Sequence, residues 1–324
     1  MCSISSMSTF IEISTPLHGL FISPLNNRFM RCDLHVHSTA SGMCNTPLLN
    51  QICRESYNQP EKVYSRLKQL GMSLITLTDH DSIDAAEALR KHADFFLSEE
   101  ATVQLPTGTE MHMGVYGMTE RDHMEIQRRR NDFISLVMYL TEQRLFFSAN
   151  HVFSGLTGRR EQRDFEWFAS CVPAVESRNG QMWRKSNESA SKLAVRLGKI
   201  AIAGSDSHTL AGVGLTYTEV PGARTAAEFF AGLRCGKGIV CGAHGSYLKL
   251  TLDVFRIVFA MVSEESWTLL LAPLALFVPA CVAGHWLNEI RFWRKWASLV
   301  ERGERGRSLQ QMDSNFEASW ASMG

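Results

Sequence analysis

Between residue 31 and about residue 245, short apolar runs rich in β-branched residues alternate with stretches of helical period, which narrows the architectures open to this chain. Strands are expected at 32–36 (CDLHV), 74–78 (LITLT), 109–113 (TEMHM), 145–149 (LFFSA), 172–176 (VPAVE), 200–203 (IAIA) and 216–220 (TYTEV). Helices are expected near 60–70, 84–97, 119–143, 161–170, 186–197 and 225–235. Seven strands alternating with six helices imply an α/β fold, either a closed parallel barrel or an open doubly wound sheet, and periodicity does not choose between them.

Polar residues collect where such folds place function, just past the carboxyl ends of strands. In "CDLHVHST", His35 and His37 are two apart on a strand and therefore share a face. "TLTDHDSID" places Asp79, His80 and Asp81 after the second strand, and "GTEMHMG" places Glu110 and His112 on the third. "SANHVF" adds His151, "AVESRNG" adds Glu176 and Asn179, and "IAGSDSHT" adds Asp206 and His208. Six of the eleven histidines fall at these ends; His18, His92, His123, His244 and His285 do not. That clustering points to one site.

Imidazoles and carboxylates without cysteine suit zinc, manganese or iron(II), and do not suit calcium. Eight donors (His35, His37, His80, Glu110, His112, His151, Asp206 and His208) exceed the needs of one tetrahedral ion and suit two or three, with Glu110 or Asp206 bridging. Clustered divalent ions activate water and stabilise in-line phosphoryl displacement, so hydrolysis of phosphate esters is the expected chemistry.

The ordered set "DLHVHS", "TDHDS", "GTEMH", "NH" and "GSDSH" resembles the PHP (polymerase and histidinol phosphatase) family across residues 31 to about 245. The resemblance implies a distorted (β/α)7 barrel and a trinuclear metal centre. It implies one ion on His35, His37, Glu110 and Asp206, a second shared by Glu110, His112 and His151, and a third on His80 and His208. Two departures stand out. Family members commonly separate the glutamate from the next histidine by a longer loop, whereas Glu110 and His112 are two apart. They also carry an aspartate where "HVHSTASGM" has Gly42. The third ion then lacks a ligand, unless Asn45 or water substitutes, and a two-metal enzyme is equally open.

Other features have both functional and structural readings. Asp79 and Asp81 orient His80 or cap a helix; Glu176 and Asn179 touch the site's surroundings or serve a turn. Arg159 and Arg160 in "LTGRREQR" are placed to grip a phosphate, or belong to a solvated loop. With Asp206 and His208, they are the residues expected to act on substrate. "QRRRND" is read as a charged outer face, and the glycine-rich "CGKGIVCGAHG" lacks phosphate-loop spacing.

A formal net charge of zero gives no global field for nucleic acid, which favours a small phosphorylated substrate or nucleotide; no protein partner is predicted. The eight cysteines show neither zinc-ribbon nor disulfide spacing, as in a reducing cytoplasm. Residues 1–29 read as a loose extension without secretory character, residues 30–245 as the metal domain, and 246–324 as a C-terminal extension. Within the last, 266–288 contains no Asp, Glu, Lys or Arg, bears tryptophans near both ends, and is long enough to span a bilayer. Pro273, Pro279 and His285, and the orientation set by Arg291, Arg294 and Lys295, favour an interfacial anchor or a helix buried on the domain over a span. The expectation is a cytoplasmic hydrolase with two or three divalent ions (manganese, zinc or iron) and a membrane-associated tail. The alternatives are a non-catalytic metal-binding module tethered to a membrane or partner, and hydrolysis of a carbon–nitrogen bond.

Overall fold

The computed structural model describes residues 29–44 and 49–302. The expected N-terminal extension, Asn45 and the polar tail after about 303 therefore lie outside the described residues, apart from the first strand's opening residue. Among the described residues, eight strands form two sheets. β1 (Phe29–Cys32), β7 (Thr216–Pro221) and β8 (Ile239–Gly242) form an antiparallel sheet in the order β1-β7-β8. β2 (Ser98–Gln104), β3 (Glu110–Tyr116), β4 (Phe146–Ala149), β5 (Ala174–Asn179) and β6 (Ile200–Gly204) form the larger sheet in sequence order. Its first three strands pair antiparallel and its last three parallel.

The fold is thus mixed α/β, and a regular closed (β/α)7 barrel is not what the ladders describe. Residues 84–97, expected as one helix, form only the short α2 (Ala86–Leu89) before the chain turns into β2. "SEEATVQ" and "EMHMGVY" then close a hairpin across Pro106, Thr107 and Gly108, with Gly108 in the left-handed region at φ 77°. The second expected strand, 74–78, has no ladder of its own. Its backbone contributes the single bridge Ile75–Phe95, while Thr78 N donates to Val36 O at 2.9 Å. Bridges Val36–Ser207 and His80–Glu100 set residues 35–37 and 75–80 between β6 and β2. The donors at those two segments are thereby brought beside the donors of the large sheet.

Helices α1 (Pro60–Gln69), α3 (Glu120–Arg129), α4 (Phe133–Glu142), α5 (Gln162–Cys171), α6 (Arg184–Arg196) and α7 (Ala226–Arg234) match the helical period closely. The expected 119–143 helix splits because Asp132 caps a new helix start through Ser135 N at 3.1 Å. Under the large sheet, Val115, Phe147, Val175 and Phe168 pack with Leu136 and Leu193 into one core. That core also takes Trp296 and Ala297 from α9 (Val278–Arg302), the last helix among the described residues.

The C-terminal extension is therefore packed on the domain. α8 (Tyr247–Glu264) leads into 3₁₀ turns over Ser266–Phe277, interrupted by Pro273, and then into α9. Ser266–Ser298 is the one helical stretch among the described residues long and apolar enough to cross a membrane. Its two halves differ: Leu270 and Leu276 are more than four-fifths exposed, whereas Trp296 is buried.

Candidate metal centre

Glu100, at the middle of β2, is the hub of the site. Its carboxylate lies 3.1 Å from His35 Nε2, 3.2 Å from His151 Nε2, 3.3 Å from His80 Nδ1, 3.5 Å from His37 Nε2 and 3.6 Å from His112 Nδ1. Asp206 Oδ1 approaches the same histidines from β6's carboxyl end, 3.3 Å from His37 and 3.5 Å from His35. His208, two residues on, is 3.6 Å from Glu55, and His80 is 3.4 Å from it. Within this cluster four triads hold donor atoms close enough for a shared ion: His37–His80–His208, His35–His37–Glu100, His35–His151–Asp206 and His80–Glu100–His112.

Seven of the eight donors expected from sequence converge here, and Glu110 does not. Glu110 opens β3 with an exposed side chain at the rim of the cleft, on the far end of the hairpin from Tyr116. Glu100 takes its place, and its distance in sequence from His112 restores the longer loop that family members carry. The signal was available: "SEEATVQLPTGTEMHMGVY" is two strand-like runs around a Pro–Gly turn.

Glu55 was also missed. It stands where the absence of an aspartate at Gly42 leaves a gap, and it pairs with the His80 and His208 of the expected third ion. It lies on a loop of no regular period, so no pattern marked it.

Several buried groups hold the donors in place. Glu176 Oε1 accepts from His35 Nδ1 at 2.8 Å, which leaves Nε2 facing Glu100, and Oε2 accepts from His151 N at 3.0 Å. Asn179 Nδ2 donates to both Glu176 Oε2 and Asp206 Oδ2 at 2.9 Å. Asp79 accepts from Ser38 and Ser41, and the Ser41 hydroxyl lies 3.0 Å from His37 Nδ1. Asp81 accepts from Thr102 N at 2.8 Å, tying the His80 loop to β2. Asp33, buried one residue from the first strand, gathers the amides of His35, Ser205 and Gly214; burial raises it to about 6.

The backbone is bent to serve this convergence. His151 and Asp206 lie at φ 29° and 50°, in a region costly for residues with a Cβ. Asp206 N donates to His35 O at 2.6 Å, which holds that turn. Gly204, just before it, passes so close that an added Cβ would meet the His35 backbone nitrogen at 2.4 Å.

Neither arginine expected to grip phosphate lines the cleft. Arg160 is buried, donating to Glu110 O at 2.9 Å and Thr157 Oγ1 at 3.1 Å, with its guanidinium over Phe168; burial brings it down to about 10. It braces the loop after His151. Arg159 is exposed and does not line the cleft.

The donor set fits divalent cations. Nε2 of His35 and Nε2 of His37 face each other at 3.1 Å, and His112 Nδ1 faces His151 Nε2 at 3.3 Å. Glu100 Oε2 and His208 Nε2 are buried without a hydrogen-bond partner. Paired ring nitrogens and orphaned acceptors around one point are what a bound cation satisfies. Burial, with His208 and His80 nearby, pushes His37 down to about 3, and burial likewise takes His112 to about 3. Burial works against ionised Glu100 and Asp206, yet the surrounding imidazoles, His35 foremost, hold both well below the usual carboxylate range. The neighbouring carboxylates, Glu100, Asp206 and Glu55 among them, offset burial and raise His35, His80, His151 and His208 instead, so a cation bound there would displace protons from those rings.

Fold and donors define an α/β domain with a histidine–carboxylate cluster that could hold divalent cations. Residues 184–237 match the PHP-associated sequence family, in line with the resemblance of the motifs above. No curated protein sequence matches the chain. Among solved structures it is similar to PsfC from Pseudomonas syringae (16% identity, 74% of this chain and 100% of that one, TM-score 0.49). It is also similar to a protein of Bifidobacterium adolescentis provisionally assigned as a metal-dependent phosphoesterase (12% identity, 63% and 96%, TM-score 0.41). A third likeness is to the lesion-specific endonuclease EndoQ of Pyrococcus furiosus (13% identity, 65% and 57%, TM-score 0.47).

Proposed function

We propose that this protein is a metal-dependent phosphoesterase, using two or three divalent ions to hydrolyse a phosphomonoester or a nucleotide or oligonucleotide phosphodiester. The observation that carries the reading is the convergence of six histidines on Glu100 and Asp206 at the floor of a cleft of about 880 Å³. His35, His37, His151, Glu100 and Asp206 would hold ions deepest; His80, His112, His208 and Glu55 would hold them nearer the opening. Ions bound there supply Lewis-acid activation of water and of the phosphoryl group.

The chain's own groups set the conditions. Glu55, Glu100 and Asp206 would offset only part of the charge of two or three divalent ions, so a loaded site would keep a net positive charge suited to a phosphate. Glu176 and Asn179 fix His35, His151 and Asp206, so little reorganisation is needed during reaction. His80, His112 and His208 are between one-seventh and one-fifth exposed, and form the edge met first by an entering ester. Glu55, supplying an anion to His80 and His208, weighs against a module that binds metal only structurally.

The test is elemental analysis of protein purified without chelator, with manganese-dependent turnover of phosphomonoester and phosphodiester panels. Two or more ions per chain are expected, with activity lost in His35→Ala and Asp206→Ala. Fewer than one ion after reconstitution, and turnover unaffected by either variant, would refute the reading. Contact of the exposed Ser266–Phe277 turns with a lipid surface is proposed as well. Its support is the row of exposed Leu269, Leu270, Leu274, Leu276 and Phe277, more apolar surface than one isolated residue accounts for.

A further inference from the structure

The cleft over the metal centre has two unlike sides. One is the ring of histidines and carboxylates; the other is α8, from the C-terminal extension, which lines the same cleft with Leu250, Val254 and Ile257. These three recur at helical spacing on one face, and Leu156, Met182 and Met43 extend the apolar lining from the neighbouring loops. Leu248, Leu252, Phe255 and Phe259 form the opposite, exposed stripe, so α8 is apolar on both faces.

This wall is fastened to the loops that carry the donors. Asp253, buried on α8, accepts from Thr209 Oγ1 at 2.7 Å, beside His208. At the other end Glu264 accepts from Arg54 Nε at 3.1 Å, next to Glu55. Lys249 Nζ donates to Gly180 O at 2.7 Å, beside Asn179, and Glu289 of α9 accepts from Gly155 N at 3.0 Å on the loop after His151. The extension is thus built into the site at four points.

We infer that the substrate carries an aliphatic or aromatic group beside its phosphate, seated against Leu250, Val254 and Ile257 while the phosphate meets the histidine–carboxylate ring. The inference rests on the phosphoesterase reading for the phosphate and on the cleft's lining for the remainder. A phosphate alone, or a strongly polar ester, gains nothing from three partly exposed aliphatic side chains, whose hydration is relieved only when apolar surface covers them. From Leu250 to Ile257 the helix rises about 10 Å, comparable to an extended octyl chain.

The experiment uses the full-length, manganese-loaded protein. Turnover of n-alkyl phosphates from methyl to octyl is measured beside calorimetric binding of the matching alkylphosphonates, which carry the same groups and are not hydrolysed. Both kcat/KM and affinity are expected to climb by up to about fourfold per methylene until the wall is covered. Val254→Ser with Ile257→Ser should flatten both slopes, and Leu248→Ser, on the outer face, should keep them. Equal binding of methyl- and octylphosphonate by the wild type would overturn the inference, as would an undiminished slope in the double variant. The two readings fail separately. Turnover without a chain-length slope removes the wall and leaves the phosphoesterase; a phosphonate slope without turnover of any ester keeps the wall and removes the phosphoesterase.

Discussion

Glu100→Gln is the perturbation that asks most of the metal centre. Glutamine keeps the side chain's shape and can still accept the 2.8 Å hydrogen bond from Asn150 Nδ2, so the change is one of charge. That charge lies within 3.6 Å of five imidazoles and is fully buried. Removing one partner from a buried ionic contact costs about 3–5 kcal/mol, which corresponds to roughly two to four orders of magnitude in metal affinity. Glu110→Gln is the matched control. Its side chain is exposed, so a change within about 0.5 kcal/mol, or roughly twofold, is expected. Both variants would be loaded, dialysed against metal-free buffer and measured for ions per chain and for phosphomonoester turnover. Glu100→Gln should lose ions and activity while Glu110→Gln retains both. The reverse outcome, ions stripped from the Glu110 variant and kept in the Glu100 variant, would refute the assignment of β2 as the source of the central carboxylate.

Glu55→Gln should lower the ion count by a fraction of an ion to one ion per chain at limiting metal while leaving the deeper donors loaded; an unchanged count and an unchanged dissociation profile would exclude Glu55 as a ligand. In the metal-free protein burial opposes a charged His80, but Glu100 and Glu55 lift it from 6.5 to about 9. Its contribution to stability is complete below 6.5 and is lost as pH rises through about 9, so metal-free thermal stability should fall across that window. Saturating manganese should remove that dependence, and a pH-flat metal-free Tm would contradict the assignment. Gly204→Ala should prevent the close pass against His35 and abolish metal retention, read by elemental analysis beside circular dichroism. Flotation with phospholipid vesicles should retain the wild type and lose Leu270→Ser/Leu276→Ser; a protein that instead dimerises through this ridge and ignores vesicles would defeat the lipid proposal.

Periodicity and residue type carried much of this protein into view. Strand periodicity put His35 and His37 on one face; β1 in fact ends at Cys32 and Val36 makes only a single bridge, yet the extended segment still brings their Nε2 atoms to 3.1 Å. The six strand-end histidines and Asp206 could be gathered into one site because strand ends are where α/β folds converge. The helices α1, α5, α6 and α7 fell within a few residues of their apolar repeats. The expectation of a divalent-cation site likewise rested on donor chemistry alone.

Tertiary structure decided what local pattern could not. Whether "GTEMH" or "SEEAT" supplies the carboxylate depends on which end of a hairpin reaches the centre, and the hairpin's register, Glu100 opposite Gly114 and Glu110 opposite Gln104, answers it. Glu55 sits on an aperiodic loop and becomes visible only when His80 and His208 arrive beside it. Arg160 resembles a phosphate clamp in one dimension and is a buried brace in three. The apolar tail shows the same division. Hydropathy marks residues 266–288 as oily, but long-range contacts determine that α9 ends in the domain core and that α8 walls the metal cleft, because burial is a property of what surrounds a side chain and not of the side chain itself.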